Sequence, residues 1–332
     1  MSGAFEYLML ANGLTPVAEE VRDSAGVKQT LEWFQTVVKD RADKTKPGHE
    51  VLVGYLENDE FNAFAATIDG HDVIALNIGV LKLGRGALIK NVNTDIPWLK
   101  ARKFAQGEAL LERATQFVFM HELGHIWNGH TSFANQYLGL RVLDELRVTA
   151  SLSAEQAVDW QTLEMDADGY AAANMVENSI GQSRDHPDSF KHLDLEFDKT
   201  YGASASAVAE SMFAMYLVWR MFDEAFDAAN LKAADHPSAP MRQRIIVGAT
   251  AAALVQRHGY SIENAYEMLL IVARVAETFH SAAAGRAFDA GAFKSAMEDT
   301  GYLNSLLRNW ADLRPRLEKL KRGGNLPPVQ EV

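Results

Sequence analysis

The chain has 332 residues, of which 48% are apolar and 23% charged, and these values exclude wholesale disorder and fibrous repeats. Its 32 basic and 44 acidic side chains give a net charge of -12, which opposes non-specific attraction to nucleic acid or anionic lipid. The chain contains no cysteine, so disulfides, thiolate metal sites and cysteine nucleophiles are excluded, and any metal must bind His, Asp or Glu.

The N-terminal residues lack the pattern of a secretory signal. No basic residue precedes the short apolar stretch in residues 1–14, and Glu6 comes early. The apolar run from Ser211 to Trp219 is about half of the roughly 20 residues that a membrane-spanning helix needs. We therefore expect a cytoplasmic protein with no membrane span and no nucleic-acid partner. The sequence indicates no particular oligomeric state.

The first predicted elements are a helix and a small sheet. Apolar residues at helical spacing in LEWFQTVVKD indicate an amphipathic helix within an N-terminal helical extension, residues 1–50. Two strand-like runs follow, VLVGYL and FNAFAATIDGHDVIALNIGVL. Asp69 and Gly70 suit the positive φ angles of a tight hairpin. We therefore predict a small antiparallel sheet at residues 51–82.

The remaining chain is predicted to be mainly helical. Apolar residues recur every three or four positions from about Gly107, and Gly129 is typical of a helix end. A second helix is predicted to start at Ser153, where Ser153 and Gln156 can form a capping box. Residues 179–205 are polar and predict irregular structure. Further helices are predicted at residues 205–230, 241–256 and 262–321.

The motif HELGH carries the clearest chemical signal. His121 and His125 lie one helical turn apart on the same face, so their imidazoles can bind a single ion, with Glu122 beside them. Two neutral imidazoles leave a zinc ion open to a third protein ligand and a water, whose pKa falls to about 7 when bound. Glu122 can then accept the proton of that water. This is the zincin arrangement.

The candidates for the third zinc ligand are reduced by elimination. A metzincin requires a histidine six residues after His125, where this chain has Thr131. His130 lies just past the predicted helix end, and we interpret it as a cap partner rather than a ligand.

The segment EMDAD supplies the better candidate. Glu164 and Asp168 are spaced i and i+4 on the second predicted helix, so Glu164 can reach zinc while Asp168 accepts an N–H from a ligand histidine. Asp166 falls off their common face and is predicted to lie at the surface.

Several separated blocks together resemble the gluzincin family that contains the heat-shock protease HtpX and the CaaX prenyl endopeptidases. The blocks occur in the family's order: Asn62 to Ala65 with Gly79 to Leu81, His121 to His125, Glu164 with Ala167 and Asp168, and His236 and Pro237 with Arg242. They bracket roughly residues 60–245. The chain departs from the family in lacking its membrane helices and in having Gln243 where an aliphatic residue usually follows the Arg.

The resemblance implies further roles. A peptide substrate would lie along an edge strand, such as the one holding Asn62 to Ala66, with Asn62 as the candidate contact. His236 would donate to the oxyanion, and Arg242 would orient the metal-site carboxylates or bind substrate. The alternatives are that Asn62 only packs the hairpin and that Asp-His-Pro-Ser is turn chemistry before a helix.

We therefore predict an α+β, mainly helical fold with a zincin-like (gluzincin) catalytic domain. The core spans residues 51–260, C-terminal helices pack on it at 261–322, and residues 323–332 form a flexible tail. The predicted function is a zinc-dependent endopeptidase that acts on peptide or protein substrates, with Glu122 as general base. Three alternatives stay open: an aminopeptidase, a highly selective Lit-like phage-exclusion peptidase, and a non-catalytic partner-binding protein with a vestigial zinc site.

Overall fold

The structure is a computed structural model, and it describes residues 2–42, 50–88, 94–100, 107–144, 152–222, 239–298 and 300–329. The helices are α1 (Ser2–Ala11), α2 (Glu19–Arg22), α3 (Ala25–Ala42), α4 (Gly79–Leu88), α5 (Gly107–Trp127), α6 (His130–Phe133), α7 (Ala154–Asp185), α8 (Leu195–Tyr201), α9 (Ala205–Phe222), α10 (Ala239–His258), α11 (Ile262–Ala283), α12 (Ala290–Glu298) and α13 (Thr300–Leu320). A π-helical turn covers Ala134–Leu138 and a 3-10 helix covers Pro187–Phe190. The strands are β1 (Val51–Leu56), β2 (Ala63–Ile68), β3 (His71–Asn77) and β4 (Val142–Asp144).

The strands form one four-stranded sheet in the order β1-β3-β2-β4. The predicted hairpin is confirmed: β2 and β3 pair antiparallel, and Asp69 and Gly70 between them have φ angles of 50° and 82°. The prediction of a purely antiparallel sheet is wrong, because β1 pairs parallel to β3, with Val51 opposite Asp72. The sheet is therefore mixed.

Strand β4 changes the position of β2 in the sheet. Phe64, Ala65 and Ala66 of β2 pair antiparallel with β4 while their other side pairs with β3. The prediction that the strand holding Asn62 to Ala66 is an edge strand is therefore wrong at Phe64 to Ala66. Residues 62 and 63 precede the part of β2 that pairs with β4.

The helix signals read from the sequence hold at the ends of α5 and α7. Gly129, the second residue after α5, has a φ of 84°. The capping box is confirmed, since Ser153 Oγ accepts from Gln156 N at 3.2 Å and Gln156 Oε1 accepts from Ser153 N at 3.0 Å. The prediction of irregular structure at residues 179–205 is wrong, because α7 continues to Asp185 and α8 follows.

The chain divides into two compact units. The first comprises Met1–Leu83, Val118–Ala167 and Gly301–Val332, and the second comprises Gly84–Phe117 and Asp168–Thr300. In the first unit, Phe34 stacks on Phe119 with ring centroids 4.0 Å apart. In the second, α9 is buried at every residue from Ala205 to Trp219. The predicted domain boundaries near residues 50, 260 and 322 stay predictions.

Mainly helical structure with one small sheet agrees with the predicted α+β class. Within the ranges that the structure describes, no helix combines the length and the apolar character needed to cross a bilayer.

Candidate metal centre

The HELGH motif lies in the last two turns of α5. Its helical conformation places His121 and His125 one turn apart, and their Nε2 atoms lie 2.9 Å from each other. Both histidines are 1% exposed. The ring of Trp160 on α7 lies parallel to that of His125, with centroids 6.4 Å apart. The two imidazoles therefore converge inside the first unit, away from solvent.

Helix α7 brings Glu164 to both imidazoles. Glu164 Oε2 lies 3.4 Å from His121 Nε2, and Glu164 Oε1 lies 3.4 Å from His125 Nε2. Glu164 is 1% exposed. In the part of the chain that the structure describes, these three residues are the one group of three or more His, Asp and Glu side chains whose donor atoms all lie within 4.8 Å of one another.

The donor set fits a zinc ion. Zinc–nitrogen and zinc–oxygen bonds of about 2.0–2.1 Å in tetrahedral geometry separate neighbouring donor atoms by about 3.3 Å. The two nitrogen–oxygen distances of 3.4 Å match this separation. The nitrogen–nitrogen distance of 2.9 Å is that of an N–H···N hydrogen bond between two imidazoles, so metal binding would move the rings apart by a few tenths of an ångström. Two imidazoles and one carboxylate leave one tetrahedral position for water or substrate.

Glu122 lies on α5 beside the first histidine, as the motif requires, and it is fully buried. A carboxylate in this place is the general base expected of an HExxH motif. Its catalytic role stays a prediction.

Two further polar residues that the sequence assigned elsewhere lie at this centre. His130 opens α6, and its Nδ1 lies 3.1 Å from Nδ1 of His125, so it contacts a predicted ligand instead of capping α5. Asp166 is 4% exposed, which contradicts its predicted surface position. Its Oδ2 accepts a hydrogen bond from Asn128 Nδ2 at 2.6 Å and lies 3.0 Å from His130 Nε2. Sequence reasoning missed these contacts because it considered only the helix face shared with Glu164.

Asp168 and Arg242 form a buried ion pair in the second unit. The Arg242 Nε donates to Asp168 Oδ2 and its Nη2 donates to Asp168 Oδ1, both at 2.9 Å. The guanidinium carbon also lies 3.3 Å from the centroid of the Trp219 ring. These two parallel hydrogen bonds hold the Asp168 carboxylate in one orientation. The part that the pair plays in catalysis stays a prediction.

The two other predicted site residues are placed as follows. Asn62 is 6% exposed, and its side-chain oxygen accepts from the backbone N–H of Ala63 at 2.9 Å. His236 lies outside the described residues. Both assignments, a substrate contact and an oxyanion donor, therefore stay predictions.

Part of the chain matches the model of a known protein family. Residues 28–186 match the model of peptidase family M48, whose members are zinc metallopeptidases. The matched range contains His121, Glu122, His125 and Glu164 as well as the whole sheet. The match supports assignment to an M48 metallopeptidase family. At the level of enzyme class, the prediction of a zinc metallopeptidase, a hydrolase, is confirmed. No curated protein and no solved structure matches the chain.

Proposed function

We propose that this chain, a metallopeptidase of the M48 type, is a zinc-dependent endopeptidase that hydrolyses peptide bonds of peptide or protein substrates. The observation that carries the proposal is the buried convergence of His121, His125 and Glu164, whose donor atoms all lie within 4.8 Å of one another. These residues would hold the zinc. The burial of all three favours a strong field at the ion, since fewer waters compete for its charge.

When bound, zinc lowers the pKa of a coordinated water to about 7 and polarises a carbonyl oxygen. Glu122, adjacent to the first ligand on α5, would accept the proton that this water loses as the water oxygen attacks the carbonyl carbon of the peptide bond. It would then donate the proton to the amine nitrogen of the departing peptide as the carbon–nitrogen bond breaks, so the general base becomes the general acid and ends the cycle ionised. In this proposal the protein's contribution to the step is to hold the buried Glu122 carboxylate near the metal ligands.

Asp168 and Arg242 have a supporting role in the proposal. Arg242 holds the Asp168 carboxylate through two hydrogen bonds on the same helix, α7, that carries Glu164. We propose that this pair fixes the helix segment from which Glu164 projects. In the same proposal, Asn62 contacts substrate and His236 donates to the oxyanion.

The sheet suggests how a substrate would bind. Because β4 pairs with Phe64 to Ala66, an extended peptide that uses β2 as its template would have to pair with other residues of that segment. Alternatively it pairs with the outer edge of β4. An endopeptidase would cut within peptides in either position, whereas an aminopeptidase would release single N-terminal residues. Terminal analysis of the products from a peptide library separates these two activities.

The Glu122→Gln variant tests the proposal. Gln keeps the size of the side chain but cannot accept the proton, so we expect one zinc per chain in both proteins and a loss of about 10²–10⁴-fold in the rate of casein or peptide-library cleavage. Metal analysis and digestion are run on the native and variant proteins together. Cleavage that persists in Glu122→Gln would remove the assigned base. A native protein that binds no zinc would remove the metal centre.

A further inference from the structure

A second group of buried polar side chains lies behind His125, on the side away from Glu164. Nδ1 of His130 lies 3.1 Å from Nδ1 of His125, whereas Nε2 of His125 faces Glu164. On its other side, His130 Nε2 lies 3.0 Å from Asp166 Oδ2, which accepts from Asn128 at 2.6 Å. His130 and Asn128 are fully buried. The group therefore forms a continuous path from the Asn128 amide to a predicted zinc ligand.

Local backbone structure produces this path. Helix α5 ends at Trp127, and Gly129, with a φ of 84°, turns the chain so that α6 begins at His130. The turn brings His130 back beside His125, five residues earlier. Asp166 follows Glu164 by two residues on α7. The two segments that supply the metal ligands thus also supply the groups behind them.

Zinc binding determines where the protons of the two imidazoles lie. A histidine that binds zinc through Nε2 is neutral and carries its proton on Nδ1. In His125 that proton points to Nδ1 of His130 at 3.1 Å, which must then be an acceptor without a proton. The single proton of neutral His130 consequently lies on Nε2.

Asp166 favours the same arrangement. Its Oδ2 already accepts from Asn128, so it presents lone pairs to Nε2 of His130. The contact has an ion-pair distance of 3.0 Å and is not a hydrogen bond, so its effect on the proton is electrostatic. A proton on Nε2 is attracted by the carboxylate, whereas a lone pair there would be repelled. The alternative tautomer of His130 would also set two N–H groups against each other at Nδ1.

We propose that His130 is a positioning residue, which accepts a hydrogen bond from His125 Nδ1 and, together with Asp166, fixes the His125 tautomer that turns the Nε2 lone pair toward zinc. The inference rests on the proposed zinc function. It assigns to the chain a carboxylate–histidine–histidine relay, in which the carboxylate acts on the ligand through a second imidazole. Groups that orient metal-binding histidines in this way typically change metal affinity by about 10–100-fold when they are removed.

Two substitutions of His130 distinguish the effect of its hydrogen-bond acceptor on zinc affinity from the effect of its packing. His130→Phe keeps a buried ring but removes both nitrogens, and we expect zinc to bind about 10–100-fold more weakly. His130→Asn places an amide oxygen where Nδ1 lies, so it can still accept from His125, and we expect zinc affinity within about threefold of the native value. Zinc affinity is measured by competition with a chelator, which requires no hydrolysis.

A matched control comes from the second unit. His192 also lies against a buried carboxylate, Glu210, at 2.7 Å. His192→Phe removes the same kind of contact, and we expect it to leave zinc affinity unchanged within about twofold. Native-like affinity in His130→Phe would overturn the proposal. Equal losses in His130→Phe and His130→Asn would also overturn it, because the acceptor would then have no effect.

A spectroscopic measurement on the native chain avoids any dependence on how the variants fold. Nitrogen NMR of the zinc-loaded, histidine-labelled protein is expected to show His130 with an unprotonated Nδ1 and a protonated Nε2. A protonated Nδ1 in His130 would overturn the proposal. Native protein that binds zinc but cleaves no peptide would refute the proposed function alone, since both the affinity comparison and the tautomer would still be measurable.

Discussion

The turn at Gly129 allows a quantitative test of how the metal helix is supported. Gly129 has a φ of 84°, a conformation that side chains with a Cβ rarely adopt. A Cβ added there would also lie 2.6 Å from the carbonyl carbon of Leu320 and 2.7 Å from the nitrogen of Lys321. Both atoms belong to the backbone at the end of α13, and backbone moves less easily than a side chain. Gly129→Ala therefore introduces two separate penalties.

Gly139 allows the two penalties to be measured separately, because an alanine there would have the conformational penalty without the steric one. Its φ is 72°, but a Cβ there would have no heavy atom within 4 Å. We expect Gly139→Ala to lower the free energy of unfolding by about 1–2 kcal/mol, the cost of a left-handed residue that has a side chain. Gly129→Ala adds an overpacking cost of about 1–3 kcal/mol, so its total is about 2–5 kcal/mol.

The assay is equilibrium unfolding in urea of native protein and both variants, followed by circular dichroism, with zinc affinity measured on the folded proteins. We expect Gly129→Ala to have the lower midpoint of the two variants. It should also bind zinc more weakly, because the turn sets the position of His130 relative to His125. Equal destabilisation by the two substitutions would refute the reasoning, since it would mean that the end of α13 does not press on the turn.

Two further predictions concern the metal and the buried ion pair. Glu164→Ala removes one of three ligands, so we expect zinc to bind more than about 100-fold more weakly. Zinc at 1,000 times its Kd stabilises the native protein by about 4 kcal/mol. A chelator should therefore lower the melting temperature of the native protein but leave that of Glu164→Ala unchanged. Zinc bound by Glu164→Ala with native affinity would contradict the ligand assignment. Arg242→Met leaves the Asp168 carboxylate buried without its guanidinium, and we expect a loss of about 3–5 kcal/mol in unfolding free energy. Arg242→Met combined with Asp168→Asn should lose less, because no uncompensated charge is then buried; equal losses in the single and double variants, measured by urea unfolding, would contradict this.

Local signals in the sequence predicted local structure well. The capping box at Ser153 and Gln156, the hairpin at Asp69 and Gly70, and the helix end at Gly129 each depend on residues within a few positions of one another. Their backbone conformations follow from the hydrogen-bonding groups or steric freedom of those residues alone. The HELGH motif belongs to the same class, because helical geometry by itself brings its two histidines together.

The sheet order depends on contacts that no local pattern contains. Alternating residues identify strands but do not state which strand lies beside which, and β1 and β2, adjacent in sequence, both pair with β3 instead of with each other. Strand β4 consists of Val142–Asp144 and is too short for its alternation to stand out from a loop. Its pairing with β2 was therefore missed, and with it the reason why β2 is not an edge strand.

The error at Asp166 has a different physical cause. Predicting a surface position two residues from Glu164 assumes that α7 buries one face and exposes the other. Every residue from Trp160 to Asp168 is instead buried, with at most 7% of its surface exposed. On such a helix each polar side chain needs a partner wherever it points, because an unpaired buried carboxylate is costly. Asp166 contacts Asn128 and His130. The need of a buried carboxylate for partners, rather than helical spacing, is therefore the signal that connects EMDAD to His130.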